Sequence, residues 1–297
     1  MKLLFPVLVA GLITSPAAIA KETERLLEPA KIGWSGATLQ ASKLFLSMEA
    51  DIRLQGLPTT DIEGALIEPG EGVPVAPGDS VIEMNYATEG LGRHTDVTLL
   101  MDPESGSAIQ RISEDSGNKQ RYRVYRFTET GAYHRTRWPL TGEEKKPVSE
   151  WSDRSEGTHV YAEGAHGKHV TESTGLIYVA AAANLREPGD RLEILTYARR
   201  YVHRVILEVT ESKEVNVDFD IVAPDGTGNR QDKLSPIRIL IRGESLDDDG
   251  EDRFNLLGLR GDMELLLDPD TRLPLQLSGR AKVVGQVTFR LRKAVLN

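Results

Sequence analysis

Four arginines set among aromatic residues are the side chains of this sequence best suited to hold an anion. They lie in Lys119-Gln-Arg121-Tyr-Arg123-Val-Tyr-Arg-Phe127 and in Arg199-Arg200-Tyr-Val-His-Arg204. A guanidinium offers a planar fork of donors that matches the oxygens of a phosphate or carboxylate. Arg121, Arg123, Arg199 and Arg200 are therefore a candidate patch for an anionic group, such as a phosphate on an envelope lipid. The competing arrangement puts them on wet strand faces, paired with carboxylates across the sheet. Pairing across the sheet is the favoured reading, and the anion patch is the alternative.

Metal chemistry has two candidates. His159, His166 and His169 fall close together, with Glu163 between them. Imidazoles and a carboxylate can bind zinc, but this spacing matches no zinc signature and His-Glu-x-x-His is absent. Gly164 and Gly167 make the segment a polar surface loop, with weak divalent binding as its narrow alternative. The run Asp247-Asp248-Asp249-Gly250-Glu251-Asp252 has the acid density of a calcium loop. With Gly250 in the sixth position, Ser245 falls first and Leu256 twelfth, where an EF-hand needs aspartate and a bidentate glutamate. It is expected to be a solvated acidic loop that binds calcium adventitiously at most.

Nucleophilic motifs are near misses. Gly33-Trp34-Ser35-Gly36 is one residue short of a nucleophile elbow, and Ser116-Gly117-Asn118-Lys119 has Ser-x-x-Lys spacing in a polar turn without the partner motifs. No phosphate-cradling glycine loop or dinucleotide fingerprint is present. No catalytic residue, metal ligand set or cofactor is singled out.

The elements that must position these residues are mostly strands. In 44–54 the even positions Leu44, Leu46, Met48, Ala50, Ile52 and Leu54 are apolar, and all the odd ones except Phe45 are polar. Alternation of this kind marks a strand with one buried side. Further strands are expected at 81–86, 94–101, 120–127, 133–138, 191–196, 201–210, 214–221, 237–242, 263–267 and 282–295. In the last of these, Val283, Val287, Phe289 and Leu291 share a face. The stretch 68–79, rich in proline and glycine, reads as a loop. One segment differs: residues 174–185 are alanine-rich and apolar on nearly every side, and Pro188-Gly189 follows. That describes a buried helix, taken to about residue 186. The fold class is mainly β, with antiparallel sheets forming a partial barrel or sandwich around that helix.

Two segments echo each other. Leu99-Leu100-Met101-Asp102-Pro103-Glu104-Ser105 and Leu265-Leu266-Leu267-Asp268-Pro269-Asp270-Thr271 both read as a strand followed by an Asp-Pro-acid-hydroxyl turn. Aspartate can bond its own backbone to start a turn, and proline presets φ at the next position, so a repeated hairpin is expected from turn chemistry. A paired acidic ligand site is the weaker reading.

Residues 1–20 carry Lys2, a short apolar run from Leu3 to Thr14, Pro16, and small residues at Ala18 and Ala20. This is the pattern of a secretory signal cleaved after Ala20, and the apolar run is too short to span a bilayer. The product is expected to be periplasmic, not membrane-spanning after cleavage, with an N-terminal segment at 21–40 and a single β-rich domain over 41–297. There are no cysteines, so the exported chain relies on its core rather than on disulfides. A formal net charge of -9 argues against a general nucleic-acid or anionic-membrane binder.

The order of landmarks carries a resemblance. The Asp-Pro hairpin, the 119–127 strand, the 174–185 helix, Glu187-Pro188-Gly189-Asp190 and a late Leu273-Pro274 hairpin before a terminal strand resemble the domain-of-unknown-function family numbered 3108. That family comprises exported proteins of Gram-negative bacteria. The resemblance covers most of residues 40–297, while the insertion 224–233 and the acidic loop depart from it. It implies a periplasmic β-rich fold and no reaction.

The leading functional expectation is a non-enzymatic binding or envelope-assembly protein. Its ligand would be a lipid or other apolar small molecule, held in a cavity beside the helix, or its partner an envelope protein. The alternatives are a hydrolase or metal-dependent enzyme with a dispersed site, and a structural module that docks through an exposed sheet edge.

Overall fold

The computed structural model describes residues 27–43, 46–90, 92–246, 254–282 and 284–297. The expected export signal, Leu44, Phe45, Val283 and the acidic run from Asp247 to Asp252 lie outside the described residues.

Two runs of antiparallel strands meet edge to edge. In the first, β1 (Trp34–Lys43), β2 (Leu46–Pro58), β3 (Ser80–Gly90), β4 (Arg93–Met101), β5 (Ala108–Gly117), β6 (Arg121–Phe127), β7 (Gly131–Trp138) and β8 (Asp153–Val160) each pair with the next. The chain then crosses through β9 (Val170–Glu172), a 3-10 turn (Ser173–Gly175) and the helix α1 (Leu176–Ala182). In the second run β10 (Arg191–Ala198) pairs with β11 (Tyr201–Thr210), while β12 (Val215–Ala223) and β13 (Gly226–Leu234) form a hairpin set to one side. β14 (Ile237–Ser245) returns to β11 and leads into β15 (Leu259–Leu267), β16 (Pro274–Ala281) and β17 (Gly285–Leu296). β17 pairs with β1 and so joins the two runs. β9 on β10 and β12 on β17 are the parallel pairings.

The result is the expected mainly β architecture: among the described residues, one large, mostly antiparallel, unclosed sheet of 17 strands with one short α-helix. Period-two burial explains the strands. In β2, Ala50 and Ile52 are buried and Glu49 and Arg53 exposed; in β17, Val287, Phe289 and Leu291 are buried and Arg290 and Arg292 exposed. The sheet curls so that Leu39, Met84 and Leu99 of the first run share one core with Leu207, Ile239 and Leu265 of the second. Residues 34–40, placed by the sequence reading in a segment ahead of the domain, belong to β1 and lie between β2 and β17. The insertion 224–233 forms the turn and all but the last residue of β13 in the β12–β13 hairpin.

Every residue of α1 is buried, as its all-round apolar surface requires. Full burial of a residue such as Leu176 or Ile177 contributes about 1.5–3 kcal/mol. The helix ends at Ala182, earlier than expected, because the chain turns extended at Ala183. There Ala183 bridges to Leu27, and the amide of Glu28 donates to the Ala182 carbonyl. Tertiary pairing has replaced the last helical turn.

The two echoed segments form the same turn. Asp102 Oδ1 accepts from the amides of Glu104 (3.2 Å) and Ser105 (2.8 Å) and from the Ser105 hydroxyl (2.7 Å). Asp268 Oδ1 accepts from the amides of Asp270 (3.0 Å) and Thr271 (2.9 Å) and from the Thr271 hydroxyl (3.0 Å). Both turns dock beside α1. Tyr178 Oη donates to the Pro103 carbonyl, and Arg272 Nη1 to the Leu185 carbonyl, each at 2.6 Å. Gly106 (φ 70°) lets the first turn approach closely, since a Cβ there would lie 2.9 Å from Val179 Cγ2. Helix and turns together close one end of the curled sheet.

Candidate functional site

The opposite end is open, and the strands change character along their length to make it so. One face of β4 reads Arg93, Thr95, Val97, Leu99, Met101; one face of β6 reads Arg121, Arg123, Tyr125, Phe127; one face of β7, in reverse, reads Trp138, Thr136, His134, Ala132. Each face runs from polar at the open end to apolar near α1, where Leu99, Met101, Phe127 and Ala132 join the core. The polar halves enclose a cavity of about 740 Å³. It is bounded on the other side by Glu172, Ser173 and Thr174 beside α1, by Tyr197 of β10, and by the turn Arg199-Arg200.

Arg121, Arg123, Arg199 and Arg200 therefore line one cavity, although the two pairs are far apart in sequence. Arg93 of β4 and Arg111 of β5 join them. At the centre stands Asp115 of β5, whose side chain is 1% exposed. Its Oδ2 takes Arg121 through Nε (3.0 Å) and Nη2 (2.8 Å), Arg93 at 2.7 Å and Arg123 at 3.2 Å, while Oδ1 takes the Thr95 hydroxyl at 2.8 Å. Burial alone would raise the Asp115 carboxyl. The hydrogen bonds of Thr95, Arg121 and Arg93 and the charge of Arg123 outweigh it and hold the group below the usual carboxylate range. The two expected arrangements of the arginines thus coincide: Arg121 and Arg123 pair with an acid across the sheet, and they do so inside the cavity.

The second acid is Glu172, also buried, with Arg111 Nε 3.5 Å from its Oε1. Arg111 lies over the Tyr125 ring at 5.9 Å, in reach of a cation–π attraction. Below it the floor is aromatic. Tyr125 and Tyr197 stand 6.0 Å apart, and the His134 and His159 rings stack at 4.2 Å. His159 Nδ1 and Tyr197 Oη share a hydrogen bond of 2.6 Å. Burial lowers both imidazoles, and the charge of Arg200 adds to it; with His134 as a further neighbour, His159 is brought down to about 4.

The expected histidine loop needs correction. His159 sits on β8 facing the cavity, because the strand extends to Val160. His166 Nε2 meets the Tyr161 carbonyl at 3.0 Å, and His169 Nδ1 meets Ser107 Oγ at 2.8 Å. The three imidazoles thus address three separate partners. No group of three or more metal-ligating side chains converges among the described residues. Ser35 lies within β1 and Ser116 within β5, neither of which is the tight strand-to-helix turn that an activated serine needs.

Sequence reasoning missed Arg93, Arg111, Asp115, His134 and Glu172. Parity offered a signal for Arg93, which shares a strand face with Val97 and Leu99; Arg111 and Asp115 share theirs with Ser113, a polar residue whose burial only the structure shows.

Compared with family models, with curated proteins and with solved structures, the chain gives no match in any of the three.

Proposed function

We propose that the chain is a non-enzymatic binding protein of the cell envelope that holds an amphiphile by an acidic head group. The observation that carries this reading is the convergence of six arginines, from β4, β5, β6 and the β10–β11 turn, on one cavity of about 740 Å³. That volume falls among small-molecule pockets, which run from about 300 to 1,000 Å³. The arginines suit the head, while Tyr86, Tyr125, Tyr197, Trp138 and Phe289 offer apolar surface to the body. A second hollow, lined by Lys119 and Pro139, shares Arg93, Arg121 and Trp138 with the first and extends the basic wall outward. The periplasmic assignment rests on the signal pattern of residues 1–20 and on the family resemblance.

The test is a native mass spectrum of the protein purified from periplasm without detergent. Extra mass that is lost on organic extraction, with an acidic amphiphile in the extract, is expected. A bare mass, together with no uptake of anilinonaphthalene sulfonate into the cavity, would sink the reading.

A further inference from the structure

Charge counting narrows the head group. The cavity's six arginines face four carboxylates, Glu49, Glu89, Asp115 and Glu172, so two positive charges are left over among the described lining residues. Both lining histidines add nothing near neutral pH, since burial lowers them. A surplus of two inside a partly enclosed site is costly until matched, because low-dielectric surroundings strengthen every unbalanced charge.

Three of the six guanidiniums, Arg123 among them, are also fixed in place before any ligand arrives. Asp115 alone ties down three guanidiniums, which fixes their planes. Arg123 Nε is buried without a hydrogen-bond partner, and so is Arg111 Nε, whose nearest carboxylate oxygen is 3.5 Å away. A buried donor left unsatisfied costs about 1–3 kcal/mol.

The turn between β10 and β11 adds an independent sign. Arg199 (φ 49°) and Arg200 (φ 84°) are both left-handed, the geometry of a two-residue hairpin turn in which Asn-Gly is the usual occupant. A side chain in that region costs on the order of 1–2 kcal/mol per residue. Neither arginine makes an ion pair among the described residues, and both face the cavity mouth. Two guanidiniums held where the backbone disfavours them, with no ion-pair partner among the described residues, point to a ligand as their partner.

Building on the binding reading above, we propose that the head group is a phosphomonoester dianion, gripped by Arg111 and Arg123 from the wall and by Arg199 and Arg200 from the turn. A phosphomonoester carries a charge of about −1.5 to −2 at pH 7 and presents three acceptor oxygens, matching both the surplus and the spare donors. A sulfate ester has the same tetrahedral shape with one charge, and a carboxylate has one charge and two oxygens.

Titration calorimetry of the full exported chain with octyl phosphate, octyl sulfate, octanoate and inorganic phosphate, at about pH 8, separates these features. Octyl phosphate is expected to bind about tenfold or more tighter than octyl sulfate, a gap of about 1.4 kcal/mol or more. R199G and R200G should each erase most of that preference without lowering Tm, since glycine accepts positive φ freely. If inorganic phosphate competes as well as its octyl ester, the ligand is a small phosphorylated molecule; if only the ester binds, it is a lipid-like phosphate. Either result supports the dianion. Equal affinity for phosphate and sulfate esters, or a preference untouched in both variants, overturns it while leaving a general acidic-amphiphile binder standing. Failure of every octyl compound, with a bare native mass, removes both readings.

Discussion

His134 of β7 and His159 of β8 stack at 4.2 Å with their planes 17° apart, and both feel the charge of Arg200. Neither imidazole has a carboxylate partner among the described ion pairs, and for His134 the backbone hydrogen bond at Gly157, which favours the charged form, is outweighed by burial and Arg200. Burial, then His134, then Arg200 bring His159 to about 4, against about 6.5 for an unfolded chain. The folded state refuses a proton that the unfolded state accepts, so this group makes stability rise with pH between about 4 and 6.5 and leaves it flat outside that window. Allowing for the partial exposure of His159, the effect should be about 1–2 kcal/mol. Urea midpoints of wild type and H159N, compared between about pH 7.5 and pH 5 where carboxylates contribute equally to both, isolate it. The wild type should lose more stability on acidification; parallel curves would show that the ring is free to protonate.

Asp115 is the one acid shared by Arg93, Arg121 and Arg123. Removing one member of a buried, hydrogen-bonded ion pair leaves the other uncompensated, at a cost of about 3–5 kcal/mol. D115N should therefore unfold at markedly lower urea, by about 3 kcal/mol, since the amide still accepts one hydrogen bond. It should also regain more Tm than the wild type does when octyl phosphate is added, because its arginines lack their internal anion. A loss below about 1 kcal/mol would mean that water, not Asp115, satisfies these guanidiniums.

The same cluster explains which strands could be seen in the sequence. β2 and β17 have one wet and one apolar face, and their alternation is plain. β5, Ala108-Ile-Gln-Arg-Ile-Ser-Glu-Asp-Ser-Gly117, carries Arg111, Ser113 and Asp115 on its inner face, so a strand lining a polar cavity has no hydrophobic period to detect. β1 hides for another reason. It lies between β2 and β17, and its buried residues include Gly36, Ala37 and Ala41, small side chains that give little signal. β13 is a solvated edge with only Leu234 buried, so it reads as a loop. The helix was legible from its all-round apolar surface, but its end was not, because Leu27 claims Ala183 from a distance. Of the site, aromatic–arginine spacing exposed Arg121, Arg123, Arg199 and Arg200. The acids that hold the cluster, Asp115 and Glu172, stand alone in sequence and become neighbours of the arginines only through strand register.

Asp102 and Asp268 make the same turn with different stakes. Each Oδ1 collects two amides and a hydroxyl, work comparable to a helix N-cap, whose loss costs about 0.5–2 kcal/mol. Asp268 is also fully buried and takes Arg230 Nη1 at 2.7 Å through Oδ2. D102A should therefore cost about 1–2 kcal/mol and D268A about 3 kcal/mol or more, because Arg230 is left beside an empty site. D268N keeps the turn acceptor and loses only the charge on Arg230, so it should fall between them. Because the first turn contacts α1 at Tyr178 and the second holds the chain just after it at Leu185, amide exchange of the helix should quicken in D102A and D268A alike, a readout that a purely local turn defect would not move. Equal losses in the two alanine variants, with α1 exchange unchanged, would show that the turns fold independently of the helix they flank.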